Sequence, residues 1–505
     1  MVKTDIKQYI DLLDGVSDLL KKQLKLEDDV RRKFLTQCQE IIIMLGERLE
    51  AVTNQKDKGY ISQNALIKKL EDLCELIYTF SNSGEPGVLD EILNSIIETR
   101  QLVVSMPVTF RVVFLPYKAS MWDSLESIWR EFSRDEDFET SVVPIPFYEE
   151  DRTTMKYVPR YEGNLFPDDV PVVSFQEYRL EEKKPDLVFI HNPYDDINFV
   201  TMVHPDYFSK ELKKNCGLLV YVSYYVNQGI MEDEKKVSPG FFNADYLVFQ
   251  SNQQKECFRD TSYYERILPF GSPKFDKIIG YSKNNLSLPE EWQYDFYGKK
   301  KLLLNTTIED FLNYYGTILN KLKVFFEIVS QRHDVAIIWR PHPLLEATVK
   351  AMHPELIEKY HNLISFFNDN RIGVFDTTAD VSRAVVVSDA YIGSEDSSII
   401  ALFEVCDKPV FKFDSSRIYI GNENRNRKRA EDAFVMKDST DYFGATESED
   451  YMFEDFVYDL VNGKLTEVLK KQKIAEAGIA ANLDGTCGKK IYDFFKNKLM
   501  AKDNY

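Results

Sequence analysis

The sequence predicts an α/β protein built from two Rossmann-like domains that face one cleft. Two successive series of short runs rich in Val, Ile, Phe and Tyr alternate with polar helical stretches. This pattern is typical of buried parallel strands joined by crossover helices. The chain has 505 residues, well beyond the roughly 250 to 300 at which a single hydrophobic core stops growing. A hydrophobic fraction of 44% is that of a globular protein, so each domain can bury a core of its own.

A helical region, residues 1–105, precedes these domains. Apolar residues recur at spacings of three and four from Ile6 to Val104, which indicates amphipathic helices. Breaks fall at Asn54–Gly59 and at Ser83–Gly87, so we predict three or four helices that pack on each other or on the next domain. A hairpin that binds a partner or self-associates is the functional alternative for the same apolar stripes.

Residues 106–280 are predicted to form the first Rossmann-like domain. Its predicted strands are Val108–Leu115, Ser141–Pro146, Val170–Phe175, Asp186–Ile190, Leu218–Val222 and Tyr246–Gln250. The segment Gly271–Asp276 interrupts this pattern, and a polar stretch continues to Gly298. We place the linker between the domains in this stretch.

Residues 298–415 are predicted to form the second Rossmann-like domain, followed by a loop and helices in residues 416–505. The predicted strands are Lys301–Leu304, Val335–Trp339, Gly373–Phe375, Asp389–Gly393 and Pro409–Phe413, with helices over Ile308–Val329 and Leu345–Phe366. The tail carries two further helical patterns, Tyr451–Val461 and Lys489–Met500. We expect this tail to cross back and brace the first domain.

Charge and cysteine usage narrow the class of protein. The formal net charge of -19 argues against broad binding of nucleic acid, which needs clustered Lys and Arg. The six cysteines lie far apart, without metal-ligand spacing, so we expect reduced thiols in a cytoplasmic protein. No run approaches the ~20 apolar residues of a membrane span. A weak peripheral contact at the inner face of the membrane and a homo-oligomer both remain compatible with the sequence.

Polar side chains after the predicted strands of the first domain are candidates for ligand binding, because ligands of doubly wound sheets bind outside the carboxyl ends of the strands. Lys118 and Ser120 follow the first strand, where Ser120 would cap the next helix and an anion would be stabilised. His191 and Asn192 follow the fourth predicted strand, and His204 comes shortly after. A capped, hydrogen-bonded turn is the structural alternative for these histidines.

In the second domain, a predicted strand leads into Arg340-Pro341-His342-Pro343. Two prolines fix the backbone of this turn, so the guanidinium and the imidazole are held at the strand end. Such a turn suits a bidentate grip on phosphate by Arg340, with His342 as a second donor or a proton carrier.

Two further strand ends are expected to converge beside this turn. The segment after Gly393 begins a helix, where hydroxyls and free backbone N–H groups would stabilise a diphosphate and where an acidic side chain would accept from ribose hydroxyls. The candidate donor-binding residues in these segments are Asn305, Thr306, Thr307, Glu395, Asp396, Ser397 and Ser398.

Several standard motifs are missing from the sequence. It has no Walker-type phosphate loop, no Gly-x-Gly-x-x-Gly, no His-Glu-x-x-His and no Gly-x-Ser-x-Gly. Kinase, dehydrogenase, zinc hydrolase and serine hydrolase functions are therefore disfavoured. The candidate strand ends also lack an Asp-x-Asp motif, so we expect no metal ion and no cofactor at the site.

Three segments, together, resemble the CDP-glycerol glycerophosphotransferase family, GT-B type enzymes that build teichoic acids in bacteria. The first is Gly271–Asp276, similar to the family's Gly-x-Pro-Arg-x-Asp, and the second is Arg340–Pro343, similar to its Arg-x-His-Pro. The third is Ser394–Ser398 followed by Lys408-Pro409-Val410. The resemblance covers roughly residues 108–413.

The resemblance implies transfer of glycerol phosphate, or a similar polyol phosphate, from a CDP-activated donor to a hydroxyl, with release of CMP. The acceptor would belong to a cell-wall or capsule polymer or to its lipid-linked precursor, as a polyol phosphate or a glycan. The donor would bind the second domain through Arg340 and His342. The acceptor would enter from the first domain, where Lys118, Ser120 and Asn192 are candidates for binding it or its phosphate.

Two departures from the family's pattern bear on catalysis. The family carries Trp-His-Gly after a first-domain strand, with the histidine as the expected base, whereas the stretch here is Tyr221–Val226. Either His191 or His204 would then supply the base, or the acceptor would be deprotonated in another way; we favour His191, because it directly follows a predicted strand. The family's Asp-Tyr-Ser-Ser also reads Glu395-Asp396-Ser397-Ser398, which predicts a different nucleotide or polyol selection.

Two alternative functions fit the same sequence features. A nucleotide-sugar glycosyltransferase of GT-B fold would use the same diphosphate cradle, because a cradle does not identify the group transferred. A catalytically silent nucleotide-binding or scaffold relative is suggested by the missing Trp-His-Gly and by the helical first hundred residues.

Overall fold

A computed structural model gives the structure of the chain. It describes residues 2–22, 28–52, 60–151, 154, 156–198, 201–226, 236–283, 286–314, 317–378, 380–394, 397–413, 452–465, 478 and 480–501.

The N-terminal part of the described chain is helical. Its helices are α1 (Lys3–Lys22), α2 (Asp28–Val52), α3 (Tyr60–Ser83) and α4 (Pro86–Val104). Their apolar stripes pack into one shared core that includes Leu13, Leu45 and Leu73. The region is tied to the next domain by the Arg111 guanidinium, which lies 3.2 Å from the Asp5 carboxylate.

A parallel sheet of six strands follows in the described residues, in the order β2-β1-β5-β7-β8-β9. Its strands are β1 (Phe110–Leu115), β2 (Phe138–Val142), β5 (Leu187–Ile190), β7 (Leu218–Val222), β8 (Tyr246–Val248) and β9 (Ile267–Leu268). The helices around it are α5 (Glu126–Ser133), α6 (Leu180–Lys183), α7 (Ser209–Lys214), α8 (Pro239–Asn243) and α9 (Asn252–Glu256). The inner strands β1, β5 and β7 are buried throughout, as expected for a sheet covered on both faces.

One predicted strand of this domain is wrong. Within Val170–Phe175, pairing is limited to an isolated bridge between Val142 and Val172, because Pro171 has no N–H to extend a ladder. The prediction also missed a small antiparallel sheet in the order β4-β3-β6. Its strands are β3 (Phe147–Asp151), β4 (Lys156–Arg160) and β6 (Thr201–Val203).

The second parallel sheet has the order β12-β11-β10-β13-β14 in the described chain. Its strands are β10 (Lys300–Thr306), β11 (Val335–Pro341), β12 (Gly373–Phe375), β13 (Ala390–Gly393) and β14 (Val410–Lys412). The predicted fold class, α/β with two Rossmann-like domains in a GT-B-like arrangement, is confirmed by these two parallel sheets.

The helices of the second domain are shorter than predicted. They are α11 (Ile308–Tyr314), α12 (Ile318–Ser330), α13 (Leu345–Met352), α14 (Ile357–Asp369), α15 (Val381–Val387) and α16 (Ile399–Val405). The helix predicted over Leu345–Phe366 breaks before Pro354, whose ring disfavours helical backbone at His353.

The described helices of the C-terminal tail pack on both domains. Helix α17 (Phe453–Val461) adds Phe453 and Phe456 to the core of the second domain. Helix α18 (Cys487–Met500) packs on the first sheet through Ile491 and Phe495.

Helix α10 (Pro273–Lys283) joins the two domains. At its start the Asp276 carboxylate accepts hydrogen bonds from the backbone N–H groups of Cys487, at 3.0 Å, and Gly488, at 2.7 Å. A carboxylate at a helix N-terminus stabilises the helix, so this contact fixes α18 to α10. Asp276 belongs to a segment that carries the family resemblance, and in this structure the segment braces the C-terminal helix.

Candidate functional site

The strand orders of the two sheets locate two crevices. In the second sheet the order reverses between β10 and β13, and in the first it reverses between β1 and β5. Ligands of open α/β sheets bind outside the carboxyl ends of the strands at such a switch point. The residues after these four strands therefore define the candidate site.

The two crevices lie on the same side of the domain junction. Lys277 of α10 reaches Glu126, the first residue of α5, at 3.5 Å and Asp380, in the loop after β12, at 3.8 Å. Val226, which follows β7, is buried together with Phe275 against the second domain. The loops after the carboxyl ends of both sheets thus meet at α10.

At the second crevice, hydrogen bonds lock three strand ends together. The Asn305 side chain donates to the backbone carbonyl of Arg340 at 2.8 Å and accepts from the Ser397 hydroxyl at 2.7 Å. Asn305 and Ser397 are both buried. The structure therefore brings these predicted donor-binding residues together, but it uses their side chains to hold the site's backbone.

Thr307 lies at the opening of the same crevice. Its hydroxyl lies 3.4 Å from the Ser394 hydroxyl and 2.9 Å from the Asp310 carboxylate. Burial raises the pKa of Asp310 against the opposing effect of these hydrogen bonds. The neighbouring Thr306 is buried and accepts from the indole N–H of Trp339 at 3.3 Å. The Thr307 side chain is thus partly exposed at the opening of the crevice, whereas that of Thr306 is buried.

Arg340 does not present its guanidinium to the crevice. Nη1 forms an ion pair with the fully buried Asp376 carboxylate, and Nη2 donates to the Thr378 carbonyl. The Arg340 side chain is 8% exposed. In this arrangement Arg340 positions the turn after β12, and the bidentate phosphate grip expected from the sequence would require these contacts to break.

His342, in contrast, is exposed at the carboxyl end of β11. Its backbone N–H donates to Thr306 O at 2.9 Å, which fixes the turn beside β10. The ring Nδ1 accepts from the backbone N–H of Leu344 at 3.2 Å, so the neutral ring carries its proton on Nε2. Desolvation by the surrounding protein lowers the pKa of the His342 ring, and this favours the neutral form. His342 therefore offers an Nε2–H donor at the candidate site.

The remaining residues predicted for the donor have separate positions. Ser398 is exposed at the start of α16, and its side chain makes no capping hydrogen bond. Glu395 and Asp396 lie outside the described residues.

At the first crevice, His191 is a buried structural residue. Its Nε2 accepts from the backbone N–H of Tyr117 at 3.2 Å, so Nδ1 carries the proton and donates to the Ser124 hydroxyl at 3.0 Å. The Ser124 hydroxyl donates in turn to Met121 O at 2.7 Å. Burial lowers the pKa of His191 to about 3. With 0% of its surface exposed, His191 cannot reach an acceptor hydroxyl in this conformation.

The anion site expected after β1 is filled by the protein itself. Lys118 pairs with Glu149 at 3.0 Å, and the backbone N–H of Ala119 donates to the Glu162 carboxylate at 2.8 Å. The turn is a 3₁₀ helix that begins at Ala119, with Lys118 in the N-cap position and no side-chain cap, so the prediction that Ser120 caps it is wrong. Ser120 itself is exposed.

His204 lies away from the parallel strands. It follows β6 of the small antiparallel sheet, where its ring stacks on Tyr148 and its Nδ1 accepts from the backbone N–H of Asp206 at 3.4 Å. It lines a groove of about 810 Å³ with Tyr178 and Tyr207. The structure therefore does not bring His204 and His191 to one edge.

Two features of the site were missed in the sequence. Asp376, the partner of Arg340, follows a predicted strand directly, so the strand-end rule alone would have found it. The tyrosines Tyr194 and Tyr224 lie around His191, and the histidine ring is 6.2 Å from that of Tyr224. A cluster of aromatic side chains from distant strands leaves no signal in a single sequence.

The described residues contain no group of three His, Cys, Asp or Glu residues that could hold a metal ion. None of the helices in the described part of the chain is both long and apolar enough to cross a bilayer.

Comparison with known proteins gives structural similarity alone. No protein-family model matches the chain, and no curated protein is significantly similar in sequence. The wall teichoic acid polymerase TagF is similar in structure at 14% identity and a TM-score of 0.45, covering 87% of this chain and 99% of its own. The S. aureus MnaA–UDP structure is similar at 12% identity and a TM-score of 0.47, covering 77% of this chain and 97% of its own.

A UDP-N-acetylglucosamine 2-epimerase is similar at 14% identity and a TM-score of 0.45, covering 78% of this chain and 97% of its own. At such identities, and at TM-scores below 0.5, these similarities support no inference about substrate or reaction. The fold class of this chain rests on its own two parallel sheets, and its function must be argued from its own site.

Proposed function

We propose that this chain is a transferase that uses a nucleotide-activated donor, bound at the second crevice. One observation carries the proposal. Beside the switch point between β10 and β13, the end of β11 presents the Nε2–H of His342, and the end of the adjacent strand β10 presents the Thr307 hydroxyl. That hydroxyl donates to the Asp310 carboxylate here and would turn from it to donate to a bound ligand. A diphosphate needs hydrogen-bond donors held in place by a rigid backbone, and the Asn305 and Ser397 contacts supply that rigidity.

The specific donor that we propose is a CDP-activated polyol. Its polyol phosphate would pass to a hydroxyl of a cell-surface polymer or its lipid-linked precursor, with release of CMP. His342 would donate from Nε2 to the diphosphate and stabilise the charge that develops on the departing nucleotide. Arg340 would act as a positioning residue by holding the turn after β12 through Asp376.

Calorimetry with CDP, CDP-glycerol, UDP and GDP tests the donor site. We expect CDP and CDP-glycerol to bind the wild type. Their affinity for His342→Ala should be lower by a factor of at least about 10, as for loss of a hydrogen bond to a charged group. His342→Gln keeps an amide N–H near the position of Nε2 and should recover part of the affinity.

The matched control is His333→Ala. His333 is an exposed histidine of the same domain that precedes β11, at the opposite end of that strand from His342. We expect its affinity for CDP to equal that of the wild type. Equal affinity of wild type and His342→Ala for CDP, or the absence of any nucleotide binding by the wild type, would contradict the proposal.

A catalytically silent relative is the second candidate function. Two observations favour it: His191 is sealed from solvent, and Arg340 is already paired with Asp376. A nucleotide-sugar glycosyltransferase is distinguished by its donor, since it would prefer UDP or GDP to CDP. Release of CMP from CDP-glycerol in the presence of an acceptor would exclude the silent function, whereas binding of CDP without release would favour it.

A further inference from the structure

The first crevice is surrounded by tyrosines from three strand ends. We call Tyr117, Tyr194, Tyr224 and Tyr225 the tyrosine edge. The His191 ring contacts Tyr117 edge-on at 5.4 Å, and the rings of Tyr224 and Tyr225 lie 5.2 Å apart. Tyr224 is hydrogen-bonded to Tyr194. The edge follows β1, β5 and β7, the strands beside the switch point of the first sheet.

The tyrosine edge lies at the junction with the second domain. Val226, which follows Tyr225 directly, is buried with Phe275 of α10 in a cluster that includes Leu303 and Tyr391 of the second sheet. Lys274, at the start of α10, donates to the carbonyl of Tyr224 at 3.1 Å. A group bound at the edge would therefore lie close to the second domain, where the donor is proposed to bind.

Each of the two lysines beside the tyrosine edge forms an ion pair with a carboxylate. Lys274 lies 3.3 Å from the Asp123 carboxylate, and Lys118 lies 3.0 Å from that of Glu149. Each lysine is largely buried together with its partner. A phosphate binds well where positive charge is not already neutralised, so these two pairs disfavour an anionic ligand.

The edge instead offers neutral hydrogen-bond donors. Asn192 is 6% exposed, and its Oδ1 accepts from the backbone N–H of Tyr194 at 3.1 Å. Its Nδ2 is buried and has no hydrogen-bond partner in the described residues. Burial also raises the pKa of Tyr117 to about 12 and that of Tyr224 well above its ordinary value, so both phenols keep their protons. An unpaired buried amide is costly unless a ligand or water completes it.

From these contacts we infer that the tyrosine edge is the acceptor subsite and that it takes an uncharged, hydroxyl-rich group such as a sugar ring. Aromatic side chains supply apolar faces for the ring, and Asn192 and the hydrogen-bonded pair of phenols of Tyr194 and Tyr224 supply donors for its hydroxyls. This inference rests on the proposed function, because it needs a donor in the facing domain. It selects a glycan acceptor over a polyol-phosphate acceptor.

Saturation-transfer NMR on the full chain tests the inference. The neutral probes are methyl glucoside and N-acetylglucosamine, and the anionic probes are sn-glycerol 3-phosphate, followed by saturation transfer, and inorganic phosphate, followed by ³¹P line broadening. The variants are Tyr224→Phe, which removes a hydroxyl, and Asn192→Asp, which removes the Nδ2 donor and keeps the oxygen that Tyr194 needs. Tyr297→Phe is the control, because Tyr297 is 89% exposed in the loop before β10.

We expect at least one neutral probe to bind, and to bind about 3- to 10-fold more weakly to Tyr224→Phe and Asn192→Asp, as for loss of one hydrogen bond to an uncharged group. The control should match the wild type. Preferential binding of the anionic probes, equal binding of the neutral probe to all variants, or binding of no neutral probe would overturn the inference. Circular dichroism confirms that each variant is folded before it is scored.

The inference and the proposed function can fail separately. A chain that binds CDP at His342 but no neutral sugar retains the donor site and loses the acceptor assignment. A chain that binds a sugar through Tyr224 but no nucleotide loses the proposed transferase function, while the sugar site remains.

Discussion

His191 and His342 occupy equivalent places, each directly after or at the end of an inner strand of a parallel sheet, yet the structure gives them opposite properties. His191 is sealed inside the protein with both ring nitrogens engaged by Tyr117 and Ser124. His342 is exposed, with its Nδ1 engaged and its Nε2–H directed away from that contact. The first histidine shapes a crevice, and the second is available to a ligand.

The charged residues at the two crevices show a related contrast. Arg340 and Lys274 both lie at strand or helix ends near a crevice, and both are paired with buried carboxylates, Asp376 and Asp123. Position at a strand end therefore identifies residues that build a site, whereas burial and pairing decide which of them can touch a ligand.

The largest expected effect is the loss of the buried ion pair. Arg340→Ala leaves the Asp376 carboxylate buried and uncompensated, so we expect it to lower the free energy of unfolding by about 3–5 kcal/mol. Urea unfolding of the wild type and the variant measures this difference in the free energy of unfolding. Adding Asp376→Asn should recover a substantial part of the loss. Arg100→Ala is the control, because Arg100 is 44% exposed in its pair with Asp14 and should cost less than about 1 kcal/mol. Equal costs for the two arginines would contradict the structural role of Arg340.

The next largest effect concerns His191 and depends on pH. His191→Asn removes the acceptor for the Tyr117 N–H and should cost about 1–3 kcal/mol at pH 7.5. Because the folded-state pKa is lowered from 6.5 to about 3, the unfolded chain binds a proton between these values that the folded chain does not. The contribution of the neutral ring to the free energy of unfolding is complete above pH 6.5. It decreases as the pH falls below this value, by on the order of 1 kcal/mol per pH unit.

Urea unfolding of wild type and His191→Asn between pH 7.5 and pH 4.5 measures this contribution. The stability difference between the two proteins should shrink as pH falls. His361→Asn, at an exposed site, should leave the pH dependence of stability unchanged. A wild-type pH profile identical to that of His191→Asn would show that His191 is not held neutral.

An effect of similar size is expected at the glycine that leads from the first sheet into α10. Gly271 has a φ of +101°, and a Cβ there would lie 2.3 Å from the carbonyl oxygen of Ala481. Gly271→Ala should therefore cost about 1–3 kcal/mol. Gly280→Ala, in α10, meets nothing within 4 Å and should stabilise the helix by up to about 1 kcal/mol. Thermal unfolding compares the two, and the same sign for both would contradict the close approach at Gly271.

The smallest effect on stability is expected for His342. Because the residue is exposed, His342→Ala should change the free energy of unfolding by less than about 0.5 kcal/mol, as for most surface substitutions. Urea unfolding checks this against His191→Asn. A loss above 2 kcal/mol would place His342 with the structural residues and remove it from the candidate site.

The sequence predicted the sheets better than it predicted the site. Strands such as Val335–Pro341 are continuous apolar runs bounded by turns, and local periodicity reveals them. Residues at their ends were found by the same rule. Periodicity could not show which carboxylate pairs with the polar group at each strand end. These carboxylates are Asp376 for Arg340, Glu149 for Lys118, and Glu162 for the backbone N–H at the helix start after β1.

The failed strand Val170–Phe175 has a local cause that the sequence displays. Pro171 interrupts the ladder, and the apolar residues around it fill the core without pairing along a strand. The small antiparallel sheet was missed because β3 and β4 are rich in charged residues, so no apolar run indicates them. In this second case tertiary packing outweighs the local pattern.

A crystal structure or cryo-EM map of the full chain with CDP bound would test the proposed donor site directly. We predict the diphosphate beside the switch point between β10 and β13, within about 3 Å of Nε2 of His342 and beside Thr307, with Arg340 still paired to Asp376. A diphosphate bound instead at the tyrosine edge of the first domain, or held by Arg340 after release of Asp376, would contradict it.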